Sequence, residues 1–385
     1  MFRIPRGILL MTIRYSGPPV AAVLAVAITF ALPAAPARAA DPHGGEPMGM
    51  DAAMSGGGHV HTPLPAGVLG GHMIPAGKVM TVYSGMLMHM EDNYDGTDKL
   101  TPAQIATMPN RFSPPHAATY RIVPTSMDMQ MHMFGAMVGL TDGFNLMVMG
   151  SHVRKEMEML TFSGMAGTTA LGTSSAVTEG LGDGAVIGLV RLHSDPVHKI
   201  HMNLGLSLPL GSTTERVRML AANGMMMEMR ASYGMQLGTG TVDALPGLTY
   251  TGKSGPLSWG FAYRGRVPLE TSDEGWKLGD LHEVNGWLGY TMTPGITATG
   301  RVAAATQGAI RGIDPQIQGA MQALDPDNYG GERVEVFGGV EVHGMPLGLG
   351  ATRLAIEVGA PVYQNLNGPQ LGRDWMATLT VGARF

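Results

Sequence analysis

Methionine and histidine are the residues of this chain best suited to chemistry. The chain contains 32 methionines and no cysteine, and methionines often stand at alternate positions, as in Met127-Asp-Met-Gln-Met-His-Met133. Thioether and imidazole groups are soft ligands that suit Cu(I). Alternate residues of a β-strand also share one face, so each methionine run predicts either a copper path or an apolar strand face.

The neighbours of the methionines favour the apolar face. Between the methionines of 127–133 lie polar residues such as Asp128 and His132, and among the methionines of 80–90 lies His89 on the opposite parity. We therefore expect these methionines to face lipid and the polar residues between them to face the interior of a barrel.

Two methionine-rich segments fall outside such strands. One is Met225-Met-Met-Glu-Met229 in a predicted outside loop, and the other is an N-terminal segment rich in glycine and histidine. The N-terminal segment predicts weak copper capture by a flexible tail, and compositional bias in a disordered tether is the alternative. No other cofactor is expected. The candidate ligands are His43, Met48, Met50, Met54, His59 and His61.

Charged residues recur at alternate positions opposite runs of valine, leucine and aromatic residues. An arginine or lysine that faces lipid at the membrane midplane costs about 2–4 kcal/mol, so these rows are expected to face the lumen. A bulge of one residue would reverse any of these faces. The predicted lumen residues are His89, Asp128, His132, Arg264, Arg266, Arg301, Arg333, Glu335, Glu341, Arg353 and Glu357.

Two further motifs are weak. The segment 91–96 resembles the start of a calcium-binding EF-hand loop, but Pro102 stands where a bidentate glutamate is needed. Ser151 and His152 are adjacent, so on a strand they point to opposite faces and cannot form a catalytic dyad. We expect an acidic outside loop at the first motif and no enzyme.

The alternation of residue types along the chain predicts an all-β fold. The last strand, 374–385, alternates apolar residues such as Trp375 and Val381 with threonines and ends on Phe385, a pattern typical of the closing strand of an outer-membrane barrel. We predict an antiparallel transmembrane β-barrel of about twelve strands, with short periplasmic turns and long extracellular loops. The strands are predicted at 78–90, 120–140, 144–159, 179–193, 198–211, 236–252, 257–271, 279–292, 295–307, 333–344, 351–363 and 374–385.

The N-terminus indicates export. Arginines precede an apolar run that is too short to span a bilayer, and Ala37-Arg-Ala39 offers a cleavage site. The predicted organisation is a signal peptide over 1–39, a flexible Met/His/Gly-rich periplasmic segment over 40–77 and the outer-membrane barrel over 78–385. A net charge of −5 argues against a nucleic-acid partner.

Several segments together resemble a known family. They include Gly67-Val-Leu-Gly-Gly-His-Met73, Glu179-Gly-Leu-Gly-Asp183, Leu204-Gly-Leu-Ser-Leu-Pro-Leu-Gly-Ser212 and Leu354-Ala-Ile-Glu-Val-Gly-Ala-Pro-Val-Tyr363. The set resembles the outer-membrane transporter-like family named for the meta-pathway of phenol degradation. The resemblance implies a barrel that passes small, often apolar molecules, and it implies no defined binding residues. A weaker resemblance is to the B-type copper-resistance outer-membrane proteins.

The sequence therefore predicts an outer-membrane channel or transporter for small solutes, with apolar or aromatic compounds among the expected solutes. Its expected partners are outer-membrane lipid and lipopolysaccharide, the solute, and the barrel-assembly machinery through the strand that ends at Phe385. Two alternatives stay open. One is a copper-handling barrel with a capture tail, and the other is a closed barrel with a structural or interaction role.

Overall fold

The structure, a computed structural model, describes residues 61–385 and consists almost wholly of strands. A single short helix, α1 (Pro102–Ile105), is present in this part of the chain, with Thr101 and Gln104 capping its N-terminus reciprocally. Short 3₁₀ turns lie at Tyr233–Met235, Gln322–Leu324, Pro326–Asn328 and Met345–Leu347. The strands are β1 (Val79–Gly96), β2 (Asp98–Leu100), β3 (Ile122–Thr141), β4 (Phe144–Phe162), β5 (Ala170–Leu181), β6 (Gly184–Ser194), β7 (His198–Leu208), β8 (Arg216–Leu220), β9 (Met226–Arg230), β10 (Asp243–Ser254), β11 (Leu257–Pro268), β12 (Trp276–Lys277), β13 (Leu281–Thr293), β14 (Ile296–Gln307), β15 (Arg311–Gly312), β16 (Gly331–His343) and β17 (Thr352–Arg384).

Eleven of these strands form one closed antiparallel ring. Their order is β17-β16-β14-β13-β11-β10-β7-β6-β4-β3-β1, and β1 pairs with β17 to close it. Strands β2 and β5 extend the ring at one end, while β8 pairs with β9 and β12 pairs with β15 in two separate two-stranded sheets. The predicted all-β antiparallel barrel is confirmed. In the described part of the chain, no helix has the length and apolarity needed to cross a membrane.

The longest strand, β17, changes partner part-way along. Residues 353–366 pair with β16, whereas residues 366–384 pair with β1. Gly368 has a φ of +64°, which favours glycine. On either side of it, Gln364 donates to the carbonyl oxygen of Arg373 (3.0 Å) and accepts from the Arg373 backbone N–H (2.9 Å).

The two ends of the barrel differ in the length of their connections. At one end, which we call the turn end, lie Val79, Phe385 and the connections 142–143, 195–197, 255–256, 294–295 and 344–351. At the opposite end, the loop end, the connections include 97–121, 209–242, 269–280 and 308–330. The predicted alternation of short and long connections is therefore present.

The outer face of the ring is divided into two zones. Near the turn end, large apolar side chains are exposed on strands all around the ring, and we call this zone the apolar belt. Its members include Phe144, Val148, Val186, Leu204, Leu248, Leu257, Leu288, Val336, Val340, Ile356, Val358 and Val381, each at least 36% exposed.

Towards the loop end of β1, β3, β4 and β5, the outer face is polar instead. Arg154 forms ion pairs with Glu156 and Glu179, both at 2.9 Å, and Gln130 is exposed beside them. We call this zone the polar band. It lies beyond the apolar belt because β3 and β4 have 20 and 19 residues, about twice the 9–11 that a tilted strand needs to cross a membrane.

The methionines of β1, β3 and β4 face the interior, so the expectation that they face lipid is wrong. Met88, Met127, Met137 and Met157 are all less than 10% exposed. Leu87, which precedes Met88 and has the opposite parity, is 46% exposed on the outer face. The free-energy cost of placing a charge in lipid determines which face of a strand points outward only within the apolar belt. Strands β1, β3 and β4 extend past this belt. In the last strand, by contrast, the predicted faces are confirmed: Trp375, Val381 and Phe385 are exposed, whereas Thr378 and Thr380 are buried.

Candidate functional site in the barrel lumen

Residues 61–77, which we call the plug segment, run inside the ring and contact strands on opposite sides of it. Leu64, Val68 and Ile74 are each at most 2% exposed. The sequence predicts a flexible periplasmic segment up to residue 77, whereas this part is packed in the lumen because the ring offers both apolar contacts and donors for its carbonyl groups. These donors are Lys253 to His61 (2.9 Å), Arg353 to Leu64 and Pro65 (2.7 and 3.1 Å), Thr380 to Ala66 (2.9 Å), Arg264 to Leu69, and His201 to Gly70 (3.0 Å).

The carboxylate of Glu341 is the main anchor of the plug segment. One of its oxygens accepts from the backbone N–H of Leu64 (2.8 Å) and from Nε of Arg353 (2.9 Å), and the other contacts the His61 imidazole. The His61 ring also stacks on His343, with centroids 3.9 Å apart. Only 1% of the Glu341 side chain is exposed. Because a buried charge that loses its partner costs about 3–5 kcal/mol, the plug segment and the strand wall stabilise each other here.

A second buried ion pair lies beneath Gly67. The Arg301 guanidinium binds the carboxylate of Glu357 and donates to Asn285 Oδ1 at 2.6 Å, and both charged side chains are less than 5% exposed. A Cβ atom at Gly67 would overlap this pair. Glycine is therefore the residue that lets the plug backbone approach the strand wall at this point.

Between the plug segment and the loop end lies a cavity of about 380 Å³. Met129, Met131, Met133 and Met149 form one wall, and the side chains of Lys155 and Arg266 reach it from other positions. Lys155 Nζ donates to the carbonyl oxygens of Gly234 and Gln236, at 2.9 and 2.5 Å. A smaller cavity of about 140 Å³ lies beside the plug segment at the turn end.

The long loops close the other end of the lumen. Their apolar residues form one buried cluster with Met157 and Met159 of β4, which we call the loop cap: Tyr233, Met235, Trp276, Ile310, Ile317, Met321 and Leu324. Tyr233 accepts from the backbone N–H of Asp314 at 3.1 Å, and burial raises the pKa of Tyr233 to about 12. The phenol therefore stays neutral, as its packing against Trp276 (ring centroids 5.0 Å apart) requires.

Most of the charged residues predicted to line the lumen lie on the inner face. Arg301, Glu357, Glu341 and Arg353 form the two ion pairs beneath the plug segment. The others are more dispersed: Arg264 donates to Leu69, Arg266 faces Asp243 at 3.9 Å, Glu335 binds Arg373 at 2.6 Å, and Arg333 is half-buried beside them.

His89, Asp128 and His132 lie elsewhere. His89 Nδ1 is 2.7 Å from Asp128 Oδ1, and the Asp128 side chain is 62% exposed on the outer face. His132 contacts the hydroxyl of Tyr83 at 2.8 Å on the same face. The prediction that these three line the lumen is corrected by the structure, because their strands continue into the polar band, where polar groups can face outward.

The proposed copper ligands of the tail fall mostly outside the described residues. This is true of His43, Met48, Met50, Met54 and His59. His61 is described, and its ring is held between Glu341 and His343. Within residues 61–385, no group of three or more histidine, aspartate or glutamate side chains is placed to hold a metal ion.

Sequence reasoning missed the residues that bring the plug segment into the lumen. Leu64, Val68 and Ile74 are an apolar signal within a glycine-rich stretch, and this signal could have indicated packing rather than a tether. It also missed Arg373, which was assigned to a loop and binds Glu335 from the continuing strand. The ends of strands are set by pairing rather than by local pattern.

Comparison of the sequence with protein-family models and with curated proteins finds no match. The fold, however, is similar to solved structures. It resembles the COG4313 outer membrane channel from Pseudomonas putida F1, with 12% sequence identity over 83% of this chain and 99% of that one and a TM-score of 0.51.

Two resemblances have lower scores. One is to the Ralstonia pickettii toluene transporter TbuX, at 10% identity over 81% of this chain and 90% of that one, with a TM-score of 0.43. The other is to the P. putida toluene transporter TodX, at 8% identity over 81% and 91%, with a TM-score of 0.38. The similarity to the COG4313 channel shows that the chain shares the barrel fold of that outer-membrane channel, and the resemblance to the family named for phenol degradation stays a prediction.

The position of the plug segment can be tested by labelling. Because the chain has no cysteine, Ala66→Cys introduces a single thiol at a site that is 1% exposed. We expect this thiol to react slowly with a membrane-impermeant maleimide, and to react at least about tenfold faster when Glu341→Ala removes the anchor, since loss of 1.4 kcal/mol or more changes an equilibrium tenfold.

The matched control for this labelling is Ala66→Cys combined with Glu158→Ala. Glu158 is an exposed carboxylate of the polar band, so its removal should leave the labelling rate unchanged. Rapid labelling of Ala66→Cys alone would show that the plug segment does not occupy the lumen.

Proposed function

We propose that this protein is an outer-membrane channel for small solutes, with apolar or aromatic compounds as the favoured class. The observation that carries this proposal is the closed ring itself, which exposes an apolar belt outward and encloses a lumen obstructed by a plug segment. The plug is held by side-chain hydrogen bonds and ion pairs, which can be broken without breaking the barrel.

The apolar belt supports insertion in a membrane. Exposed apolar patches larger than a few hundred Å² are rare on soluble monomers, and here the apolar side chains encircle the whole ring. A closed barrel satisfies every backbone group without exposing an edge to lipid. The predicted export signal at residues 1–39 agrees with this location.

The antiparallel pairing supports the predicted count of twelve membrane strands. A closed ring in which every neighbour is antiparallel must contain an even number of strands. The eleven-membered ring satisfies this rule if β17 counts as two arms that turn near Gly368, since one arm pairs with β16 and the other with β1. The bacterial pattern would then place the turn end in the periplasm and the loop end outside the cell.

The side chains that line the lumen favour a small and uncharged solute. The ion pairs Arg301–Glu357, Arg353–Glu341 and Arg373–Glu335 neutralise part of the inner wall. Arg264, Lys253 and Lys155 are held by carbonyl oxygens, so many charged groups of the lumen are already occupied by internal partners. The cavity beside Met129 and Met131, at about 380 Å³, is within the range of small-molecule sites, roughly 300–1,000 Å³. Methionine side chains also make favourable contacts with aromatic rings.

The arrangement does not support an enzyme. Ser151 faces inward and donates to the carbonyl oxygen of Asp183 (3.0 Å), while His152 faces outward with 41% of its side chain exposed. Copper capture by the N-terminal tail and a purely structural barrel remain as alternatives, and the conductance experiment below separates the structural barrel from a channel.

Conductance in planar bilayers tests the channel and its plug together. The full mature protein should show small or infrequent openings, because the plug segment and the loop cap both obstruct the lumen. In Glu341→Ala, the loss of the anchor should raise the open fraction at least about tenfold, in line with the loss of 1.4 kcal/mol or more.

Two variants sharpen the conductance test. Gly139→Ala should act in the same direction as Glu341→Ala, because a Cβ there would overlap the carbonyl oxygen of Pro75 in the plug segment. Glu158→Ala should behave as the unchanged protein. A complete lack of conductance in all variants would favour the structural barrel, and channel block by a phenol such as phenol itself would support the aromatic solute class.

The membrane position can be tested at the outer face. Val336 lies in the apolar belt and is 42% exposed, so Val336→Arg should destabilise the protein in phospholipid vesicles by about 2–4 kcal/mol. Gln130→Arg, in the polar band, should cost only about 0–1 kcal/mol. Urea unfolding followed by tryptophan fluorescence measures both, and equal costs at the two sites would contradict the proposed membrane boundary.

A further inference from the structure

Methionine is distributed unequally between the two faces of the barrel. The outer apolar belt is built from leucine, valine, isoleucine and aromatic residues, and on the ring strands of the described chain only Met202 and Met292 point outward. The inward methionines gather on four adjacent strands: Met376 of β17, Met80, Met86, Met88 and Met90 of β1, Met127, Met129, Met131, Met133 and Met137 of β3, and Met147, Met149, Met157 and Met159 of β4.

Strand register brings these methionines side by side. Three rows each contain three methionines directly opposite one another on consecutive strands. The rows are Met90, Met127 and Met157; Met376, Met88 and Met129; and Met80, Met137 and Met147.

The rows have a geometry that allows sulfur atoms to converge. Neighbouring strands lie about 4.8 Å apart, so the outer members of a row begin about 10 Å apart. Methionine has three rotatable side-chain bonds, and it can therefore turn its sulfur towards the middle residue of its row. A row with two methionines, Met86 and Met131, and a row with one, Met133, lie between the row of Met88 and the row of Met80, which packs against Ile74 of the plug segment.

The chemistry of this wall is selective for soft cations. Thioethers bind Cu(I) and discriminate against Mg²⁺ and Ca²⁺, which need oxygen ligands. In residues 61–385 no cluster of histidines and carboxylates competes as a harder site. Met129, Met131, Met133 and Met149 border the 380 Å³ cavity, so an ion in the lumen has access to their sulfur atoms.

The positive charges at this cavity do not dominate it. Lys155 is held by the carbonyl oxygens of Gly234 and Gln236, and Arg266 faces the buried carboxylate of Asp243 at 3.9 Å. Asp183, whose two oxygens accept from the backbone N–H groups of Gly211 and Thr239, adds a second negative charge. The two cations are thus matched by two carboxylates.

We propose that the inward methionine rows of β17, β1, β3 and β4 form a series of thioether sites for a soft monovalent cation, Cu(I) or its analogue Ag(I). The sites follow the lumen from the loop cap to the plug segment. They are separate from the N-terminal tail, and they do not depend on which solute the channel passes.

Methionine-to-leucine substitution distinguishes these sites from a merely apolar wall. Leucine is close to methionine in volume and apolarity, and the exchange usually costs less than about 1.5 kcal/mol of stability. It removes the sulfur and keeps the apolar surface. A wall that serves only as an apolar surface would bind Cu(I) equally with either residue.

The experiment measures Cu(I) binding by the full mature protein in detergent, under anaerobic conditions, in competition with a chromophoric Cu(I) chelator. All variants carry His43→Ala, His59→Ala, Met48→Leu, Met50→Leu and Met54→Leu, so that tail binding is removed without shortening the chain. Met88→Leu, Met129→Leu and Met376→Leu together should weaken the tightest site by at least about tenfold, because loss of even the outer-shell partners of metal ligands typically costs about 10–100-fold in metal affinity.

The matched control is the triple variant Met202→Leu, Met292→Leu and Met345→Leu, which removes three thioethers from the outer face and a turn. It should bind Cu(I) as tightly as its parent. Equal binding by the inner triple variant and its parent, an equal loss in both triple variants, or no Cu(I) binding by the parent would each overturn the proposal.

Folding is monitored in the same samples by the heat-dependent gel mobility of the barrel. If the inner triple variant does not fold, Met129→Leu alone decides: weaker Cu(I) binding supports the sites, and unchanged binding overturns them. Conductance of the parent protein is measured separately in planar bilayers, so failure of the metal sites and failure of the channel function give different results.

Discussion

The buried carboxylate of Glu341 is the interaction on which the arrangement of the lumen depends. It is almost fully removed from solvent and is satisfied from two directions, by Arg353 of the wall and by the backbone of Leu64 in the plug segment. A buried charge that lacks one of its partners strongly destabilises the folded state. The barrel wall therefore reaches its low-energy state only with the plug segment in place, and the plug segment is ordered only by the wall.

The same pairing occupies many of the charged groups of the lumen. Glu341 and Glu357, the buried carboxylates beside the plug segment, are each adjacent to an arginine, and other donors are used on plug carbonyl groups, as with Arg264 and Leu69. What remains unpaired along the lumen is mostly apolar and polarizable. The methionine rows supply that surface on one side, while the opposite wall supplies the fixed charges that hold the plug segment.

Much of the fold could be predicted from the period-2 patterns. Which face of a strand points inward could be predicted only within the apolar belt. The faces around Arg264, Glu341 and Glu357 could be predicted because these residues alternate with apolar residues of the belt. The faces of Met129 and Asp128 could not be predicted, since beyond the belt polar groups are tolerated on both faces of a strand. The position of Leu64 and Val68 could not be predicted either, because their partners are distant in sequence.

Hydrogen exchange of the full mature protein, followed by mass spectrometry, tests most directly whether the plug segment is held in the lumen. We expect slow exchange in peptides covering residues 64–74, where the amide of Leu64 is bonded to Glu341 and that of Val68 to the carbonyl oxygen of Pro65. We also expect faster exchange there in Glu341→Ala, with the exchange of the strands unchanged. Exchange of residues 64–74 at the rate of an unstructured peptide in the unaltered protein would show that the plug segment is not held in the lumen.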